Sequence, residues 1–518
     1  MPAAGDEDHL LPPGPRWLHR VDLVVMAVIA AVAVVSRFAT RSPLWLDEAL
    51  SVNIARLPLG QIAPALRHDG HPPLYYVLLH AWMAVFGTGD MAVRALSGLF
   101  ALALFPLMYV AGRRLGGRRV GMATVLVVAV SPFAIRYATE ARMYTLVMVL
   151  VVAAWLVGED ALREPTARRL VALALLVAAL LWTHYWSFWL LGAVGIATVG
   201  RWWLLRRHGE STRARSTLLV LGALGGGVAL FLPWLPVLAY QSSHTGTPWG
   251  GPVRPTAVLA TAIADLGGGA NPEAILTGIV LTLLVVIGLS AVAVSGHRLD
   301  VDVRVRPPVR RIALVAALTL VVAELASYAT GAAFQSRYLA VVVPFVWLVA
   351  GRGLGQVTGP AAFRVLAATV VGLGLAGAGR NFIVPRTQAR QAAQAIAASG
   401  RAGDLVVVCP DQLGPALRRE LRGFRIVTEP LLGSPERVDW VDYQQRLDRN
   451  PPAAVARRIL AAAGNRRVWL VWSTGYKTHE ERCPALVRAL QAARPRTTVA
   501  LTELSDRYEK ESVYRFDP

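Results

Sequence analysis

Adjacent carboxylates at Asp47 and Glu48, in Pro43-Leu44-Trp45-Leu46-Asp47-Glu48, follow closely on an apolar run from Val21 to Val35. Ionised side chains at a membrane boundary are costly and are seldom kept without a task. A carboxylate there can serve as the general base that takes the proton of an attacking hydroxyl. Two further clusters carry groups of the same kind: Asp69-Gly70-His71-Pro72-Pro73-Leu74-Tyr75-Tyr76 and Tyr137-Ala138-Thr139-Glu140-Ala141-Arg142-Met143-Tyr144. Glu140 can orient a substrate, Arg142 can hold a phosphate oxygen, and His71, fixed ahead of a double proline, can donate to a phosphate. Late in the chain, Arg337 lies between two apolar runs in Gln335-Ser336-Arg337-Tyr338. A guanidinium at such a boundary can clamp a lipid phosphate through two parallel hydrogen bonds, which a lysine does less well.

Each of these residues also has a plainer reading. Asp47 can cap a helix that begins near Ala49, and Glu48 can be a solvated loop acid. Glu140 and Arg142 can form an interfacial ion pair or snorkel, as can Arg337 alone. His71 can serve packing or capping. His68 and Asp69 nearby do not complete a metal-ligand spacing, so no metal is expected.

The elements that must position these groups are apolar. The chain has 518 residues, 55% hydrophobic and only 17% charged, against about 25% charged in soluble proteins. Repeated apolar stretches are long enough to cross a hydrocarbon core of about 30 Å. We expect a polytopic α-helical membrane protein with about eleven spans, at roughly 21–39, 91–112, 120–136, 143–158, 170–184, 186–200, 216–239, 273–296, 312–330, 338–351 and 363–380. The segment 72–87 is too short for a full crossing and reads as a juxtamembrane or re-entrant helix. Segments 40–71 and 241–272 read as long loops.

Arginine placement orients the spans. Arg113-Arg114 with Arg118-Arg119, the loop from Arg201 to Arg215, and the group Arg298 to Arg311 all fall on one side, which the positive-inside rule makes cytoplasmic. Asp47, His71, Glu140, Arg142 and Arg337 then share the opposite, extracytoplasmic side. The net charge of +20 is explained by these loops and anionic headgroups, without a nucleic-acid partner.

Three regions follow: a disordered cytoplasmic tail at 1–20, a membrane domain at 21–384, and a soluble extracytoplasmic α/β domain at 385–518. In the last, strands are expected at 404–410, 424–427, 467–472, 497–501 and 512–516, with helices at 388–398 and 483–493. This domain lacks a Gly-rich phosphate loop, a nucleophile elbow or paired metal ligands, which suggests a structural or acceptor-recognition role. Its two cysteines, Cys409 and Cys483, can pair in an oxidising compartment or stand as small buried residues.

Leu46-Asp47-Glu48, His71-Pro72-Pro73-Leu74-Tyr75-Tyr76, Glu140-Ala141-Arg142-Met143-Tyr144 and Gln335-Ser336-Arg337-Tyr338 occur in an order that resembles bacterial protein O-mannosyltransferase-like proteins. These share the C-type glycosyltransferase fold with the lipid A aminoarabinose transferases. The resemblance covers roughly residues 20–380 and does not reach the tail. It implies a transferase that takes a sugar from a polyprenyl-phosphate donor, with the catalytic acid in the first external loop. That role falls on Asp47, with Glu48 beside it, and the acid after the third span matches Glu140. The position before the double proline, frequently basic in such proteins, is His71. Arg337, with Arg142, matches the donor-phosphate ligands. The large β-trefoil inserts of the eukaryotic enzymes have no counterpart, so a protein acceptor is not implied over a glycan or lipid.

The expected activity is inverting transfer of mannose or another hexose to an acceptor hydroxyl outside the cytoplasmic membrane. Phosphate is already a leaving group, so no cofactor or divalent cation is required. The rival is a transporter or lipid flippase, which predicts buried charges near mid-membrane and repeat symmetry between halves. The acids of this chain instead gather at boundaries.

Overall fold

The computed structural model describes residues 16–246, 250–251, 253–295, 298–302, 304–305, 307–331 and 333–518. Most of the expected 1–20 tail lies outside the described residues, but the first helix, α1 (Arg16–Ser36), already begins inside it.

The segment 40–71, expected as a loop, holds two short helices, α2 (Leu46–Ala55) and α3 (Leu59–Asp69). The next helix, α4 (Leu74–Phe86), is the short segment that follows the double proline. Two of the expected spans are the arms of one helix, α5 (Asp90–Val130), broken where Gly116 and Gly117 leave helical geometry. Gly117 has φ 78°, a left-handed value that costs glycine little. The chain can therefore double back between the two arginine pairs.

A short α6 (Pro132–Ala138) leads through a tight turn to α7 (Tyr144–Arg163), followed by α8 (Ala167–Thr183), α9 (Ser187–Arg207), α10 (Ser211–Ala229) and α11 (Leu235–His244). The second expected loop contains α12 (Pro255–Gly267). The span expected at 273–296 ends as helix with α13 (Pro272–Ser290), because Ala291–Ser295 leaves it as β1 and pairs antiparallel with β2 (Arg298–Val301). The β-branched Val292 and Val294 favour that exit. The bundle closes with α14 (Pro307–Thr330), α15 (Val343–Gln356) and α16 (Pro360–Ile383).

Seven helical stretches among the described residues are long and apolar enough to cross a membrane. Of the remaining expected spans, 21–39 falls on the shorter apolar stretch Val24–Ser36, and 170–184 and 338–351 fall largely on α8 and α15. This is a polytopic α-helical membrane protein. Its centre is the packing of α15 against α5 and α13, and small residues allow the close approach. A Cβ added to Gly353 would fall 2.0 Å from the Leu284 carbonyl oxygen, and one on Gly351 2.2 Å from Thr124 Oγ1.

Residues 389–518 form a three-layer α/β domain. Its sheet runs β4 (Arg425–Thr428), β3 (Leu405–Cys409), β5 (Val468–Trp472), β7 (Ser512–Phe516), β6 (Thr497–Leu501); the first three strands are parallel and β7 is antiparallel to both neighbours. Both faces of β3 are buried, so its sequence is continuously apolar. Leu405 and Val407 face α20 (Pro452–Ala463) and α21 (Arg482–Ala493). Val406 and Val408 face α17 (Ala389–Ser399) and α18 (Gly414–Glu420). A small α19 (Tyr443–Asp448) lies at the domain's edge. Cys409 and Cys483 are joined as a disulfide, linking the end of β3 to the start of α21 with Cα atoms 5.7 Å apart.

Candidate active site

Asp47 stands in the first turn of α2, not ahead of it, so it does not cap that helix. The N-cap is Trp45, which supplies no side-chain cap. The Asp47 carboxylate is partly exposed and reaches two guanidiniums, with Oδ2 3.4 Å from Arg337 Nη1 and 3.8 Å from Arg142 Nη2. Residues from distant segments thus converge on one carboxylate, as the motif order predicts.

Arg142 is held by a small network. Its Nη1 donates to Ser51 Oγ at 3.0 Å and to the Tyr76 hydroxyl at 3.4 Å, and its Nη2 donates to His71 Nε2 at 3.0 Å. A guanidinium has no acceptor, so Nε2 must present its lone pair and the ring proton must sit on Nδ1. That Nδ1–H donates to Asp69 Oδ2 at 3.0 Å, which also accepts the Tyr76 hydroxyl at 2.9 Å. In this arrangement His71 acts on Arg142 and links it to Asp69. Burial tends to raise the Asp69 carboxyl, but the hydrogen bonds from His71 and Tyr76, with the charge of Arg142, hold it below the ordinary range.

Glu140 is buried. Its Oε1 accepts the Trp45 indole N–H at 3.1 Å, and Oε2 lies 3.5 Å from Arg136 Nε. Through Trp45 it braces the start of α2. The Arg337 guanidinium also faces the Trp45 ring, 5.9 Å from its centroid. Beside it, Tyr338 packs between His184 and Trp186 at 5.4 and 5.0 Å, and His184 meets Tyr144 at 5.8 Å. These rings wall the site on the side of the bundle.

Glu48, grouped with Asp47 as a catalytic acid in the sequence reading, points elsewhere. It is wholly buried and takes a bidentate pair of bonds from Arg94, Nε to Oε1 at 2.7 Å and Nη2 to Oε2 at 2.6 Å. The Ala141 N–H donates to Oε1 at 2.9 Å and Arg386 Nη1 lies 3.6 Å from Oε2. Burial alone would raise this carboxyl, but Arg94 and Arg386 bring it below the ordinary range. Successive helical residues point about 100° apart, which sends one acid to the opening and the other into the interior. Arg94 also donates to the Ser42 and Pro43 carbonyls at 2.7 and 3.1 Å, so Glu48 and Arg94 tie the start of α2 to α5.

Sequence reasoning missed Arg94, Arg386 and the Asp69–Tyr76 support. A lone arginine near the start of an apolar run was the available signal for Arg94; Arg386 had none. Among the described residues no group of three or more His, Cys, Asp or Glu is placed to hold a metal ion.

Residues 70–236 match the family described as dolichyl-phosphate-mannose-protein mannosyltransferase. That segment contains His71, Glu140 and Arg142 but not Asp47 or Arg337. The fold is similar to ArnT from Cupriavidus metallidurans in the apo state, with 13% identity, a TM-score of 0.58, and 96% of this chain and 98% of that one covered. The same protein bound to undecaprenyl phosphate matches at 14% identity and a TM-score of 0.56, over 95% and 97% of the two chains. The arabinofuranosyltransferase AftD from Mycobacteria matches at 15% identity and a TM-score of 0.50, over 98% of this chain and 42% of that one. At these identities the likeness is one of fold. No curated protein matches the chain. The class so defined is a multi-pass membrane glycosyltransferase. Within it, the chain is similar to the protein mannosyltransferases and to ArnT, as the motif order implies.

Proposed function

We propose that this protein transfers one sugar, mannose or another hexose, from a polyprenyl-phosphate donor to an acceptor hydroxyl on the extracytoplasmic side, with inversion. The observation that carries this reading is the Asp47 carboxylate, partly open and flanked by Arg337 and Arg142. The matching mannosyltransferase segment and the undecaprenyl phosphate bound by the ArnT of similar fold support the donor class.

The acceptor oxygen attacks the anomeric carbon while Asp47 takes its proton. The bond from that carbon to the phosphate oxygen breaks on the opposite face, and polyprenyl phosphate leaves as a dianion. The charge lost from Asp47 is gained by the phosphate, so donors already aimed at the phosphate stabilise the transition state most. In this scheme Arg337 does this directly. Arg142 assists, held in line by His71 and Ser51. Glu140 and Glu48 act as positioning residues in this scheme, the first through Trp45 and the second through Arg94.

Asp47→Asn tests the assignment, since the amide keeps the shape but cannot take a proton. General-base catalysis contributes about 10²–10⁴-fold, and single-turnover transfer is expected to fall by that factor with donor binding retained. Near-normal transfer by Asp47→Asn, beside an inactive Glu140→Gln, would move the base to Glu140. Sidedness is tested separately: a reporter fused after Pro518 is expected to be active only outside the cytoplasm.

A further inference from the structure

The helix that carries Asp47 lacks a cap of its own and receives one from the far end of the chain. The Leu46 N–H, immediately before Asp47, donates to Glu509 Oε1 at 3.3 Å. Glu509 is itself held on both sides by backbone bonds, its N–H to the Arg386 carbonyl at 2.8 Å and its carbonyl to the Gln388 N–H at 3.1 Å. Its neighbour Tyr508 meets Trp45 edge to face at 5.0 Å. On the other flank of α2, Trp45, Leu46 and Leu50 pack with Val438, Tyr443 and Leu447 of the C-terminal domain. Glu509 is almost fully buried, and its Oε2 has no hydrogen-bond partner.

We propose that Glu509 is a positioning residue for Asp47: a carboxyl of the C-terminal domain whose oxygen caps α2 from across the fold and fixes the direction of the reacting carboxylate. The inference rests on the reading of Asp47 as the base. The unfilled N–H groups of a first helical turn need an acceptor, and a one-residue offset ties the position of this acceptor to that of Asp47. A neutral acceptor suits the place. Asp47 and Glu48 already bring two negative charges to this turn, and a third would compete for Arg337 and oppose the departing phosphate.

The ionisable surroundings agree. Burial, with the charges of Asp47 and Glu48, pushes the Glu509 carboxyl up to about 8, against the opposing hydrogen bond of the Leu46 N–H. From the other elements packed here, Glu511 is a buried acid also pushed up, first by burial and then by Glu509. Tyr476 feels Glu509, Tyr508, Glu511 and Asp47, and burial keeps its phenol un-ionised. Arg386 contacts Glu509 through its backbone and turns its guanidinium toward Glu48 and Thr139.

The test uses the full chain in lipid nanodiscs, with Glu509→Gln and Glu509→Ala. Single-turnover transfer is followed from acidic to alkaline pH beside donor binding, and the protonated-carboxyl infrared band is titrated. Wild-type turnover is expected to decline as pH passes about 8. Glu509→Gln, whose amide oxygen still accepts the Leu46 N–H, keeps neutral-pH turnover and loses that decline. Glu509→Ala loses about 10²-fold at every pH, the scale of a 1 Å misplacement, with donor affinity unchanged. An alkaline decline that persists in Glu509→Gln, or wild-type turnover in Glu509→Ala, overturns the proposal. The infrared titration separates this from the proposed function. The component of the band that titrates near 8 is expected to be lost in Glu509→Gln, leaving that of Glu511, and to titrate at lower pH in Asp47→Asn, whether or not transfer is seen. A chain that transfers no sugar from any polyprenyl-phosphate donor would sink the functional reading alone.

Discussion

Glu48 and Asp47 are neighbours in sequence and opposites in environment, and Glu48→Gln measures the difference. The amide keeps the volume and can still accept the Ala141 N–H, but it leaves two buried guanidiniums, Arg94 and Arg386, without their carboxylate. Breaking a buried pair by removing one partner costs about 3–5 kcal/mol, most of it the uncompensated charge. At about 1.4 kcal/mol per decade that is roughly a 10²- to 10⁴-fold shift toward unfolding. Arg94→Leu alone should cost a similar amount, lessened by Arg386 at 3.6 Å from Glu48. The double variant should lose less than the sum of the two, because it removes both buried charges together. Unfolding of detergent-purified protein, followed by tryptophan fluorescence, gives the stabilities, and single-turnover transfer is measured on the fraction that stays folded. A Glu48→Gln protein as stable as wild type yet unable to transfer sugar would refute the reasoning, and Glu48 would then be a reacting group.

Arg337→Ala should chiefly weaken donor binding, by about 1.5–3 kcal/mol for a charge-assisted contact, and Arg337→Lys should recover only part of it; isothermal titration with polyprenyl phosphate reads both. Replacing Cys409 and Cys483 with alanine frees a loop closed across a separation of 74 residues. The chain-entropy relation puts the cost at about 4.4 kcal/mol, seen as a lower midpoint for the C-terminal domain and the same midpoint on reducing wild type. Stability should also fall as pH rises from about 4.5 to about 8. Over that window the unfolded chain has released the Glu509 proton while the folded one retains it, and the contribution is fully present only below the window. Glu509→Gln should flatten that slope in a thermal melt.

Much of this architecture could be read from local pattern. Long apolar runs marked the bundle, and five short strands of the tail fell within a residue or two of their places because period and length agree there. The α2 helix entered only as an alternative and α3 was missed, because short helices rich in polar residues carry a weak periodic signal and Pro64 sits inside α3. The Asp47, Arg142 and Arg337 convergence was legible because each motif lies at the same kind of boundary. That Glu48 turns into the interior was not legible, because adjacency in sequence says nothing of which way a helical side chain points. Arg386 and Glu509 were invisible: their partners lie hundreds of residues away, and neither sits in a recognisable motif.

The bond between Leu46 and Glu509 spans 463 residues, and that distance sets an order of events during synthesis. The reacting loop emerges with the first spans, whereas its fastening arrives only after the whole bundle and nearly all of the soluble sheet have been made. Until then α2 has an open first turn and an unconstrained Asp47. A nascent or truncated chain could therefore be inserted, threaded and even lipid-bound while remaining inert. Competence would come in a single late step, when the segment before β7 seats and carries the Glu509 carboxyl to α2.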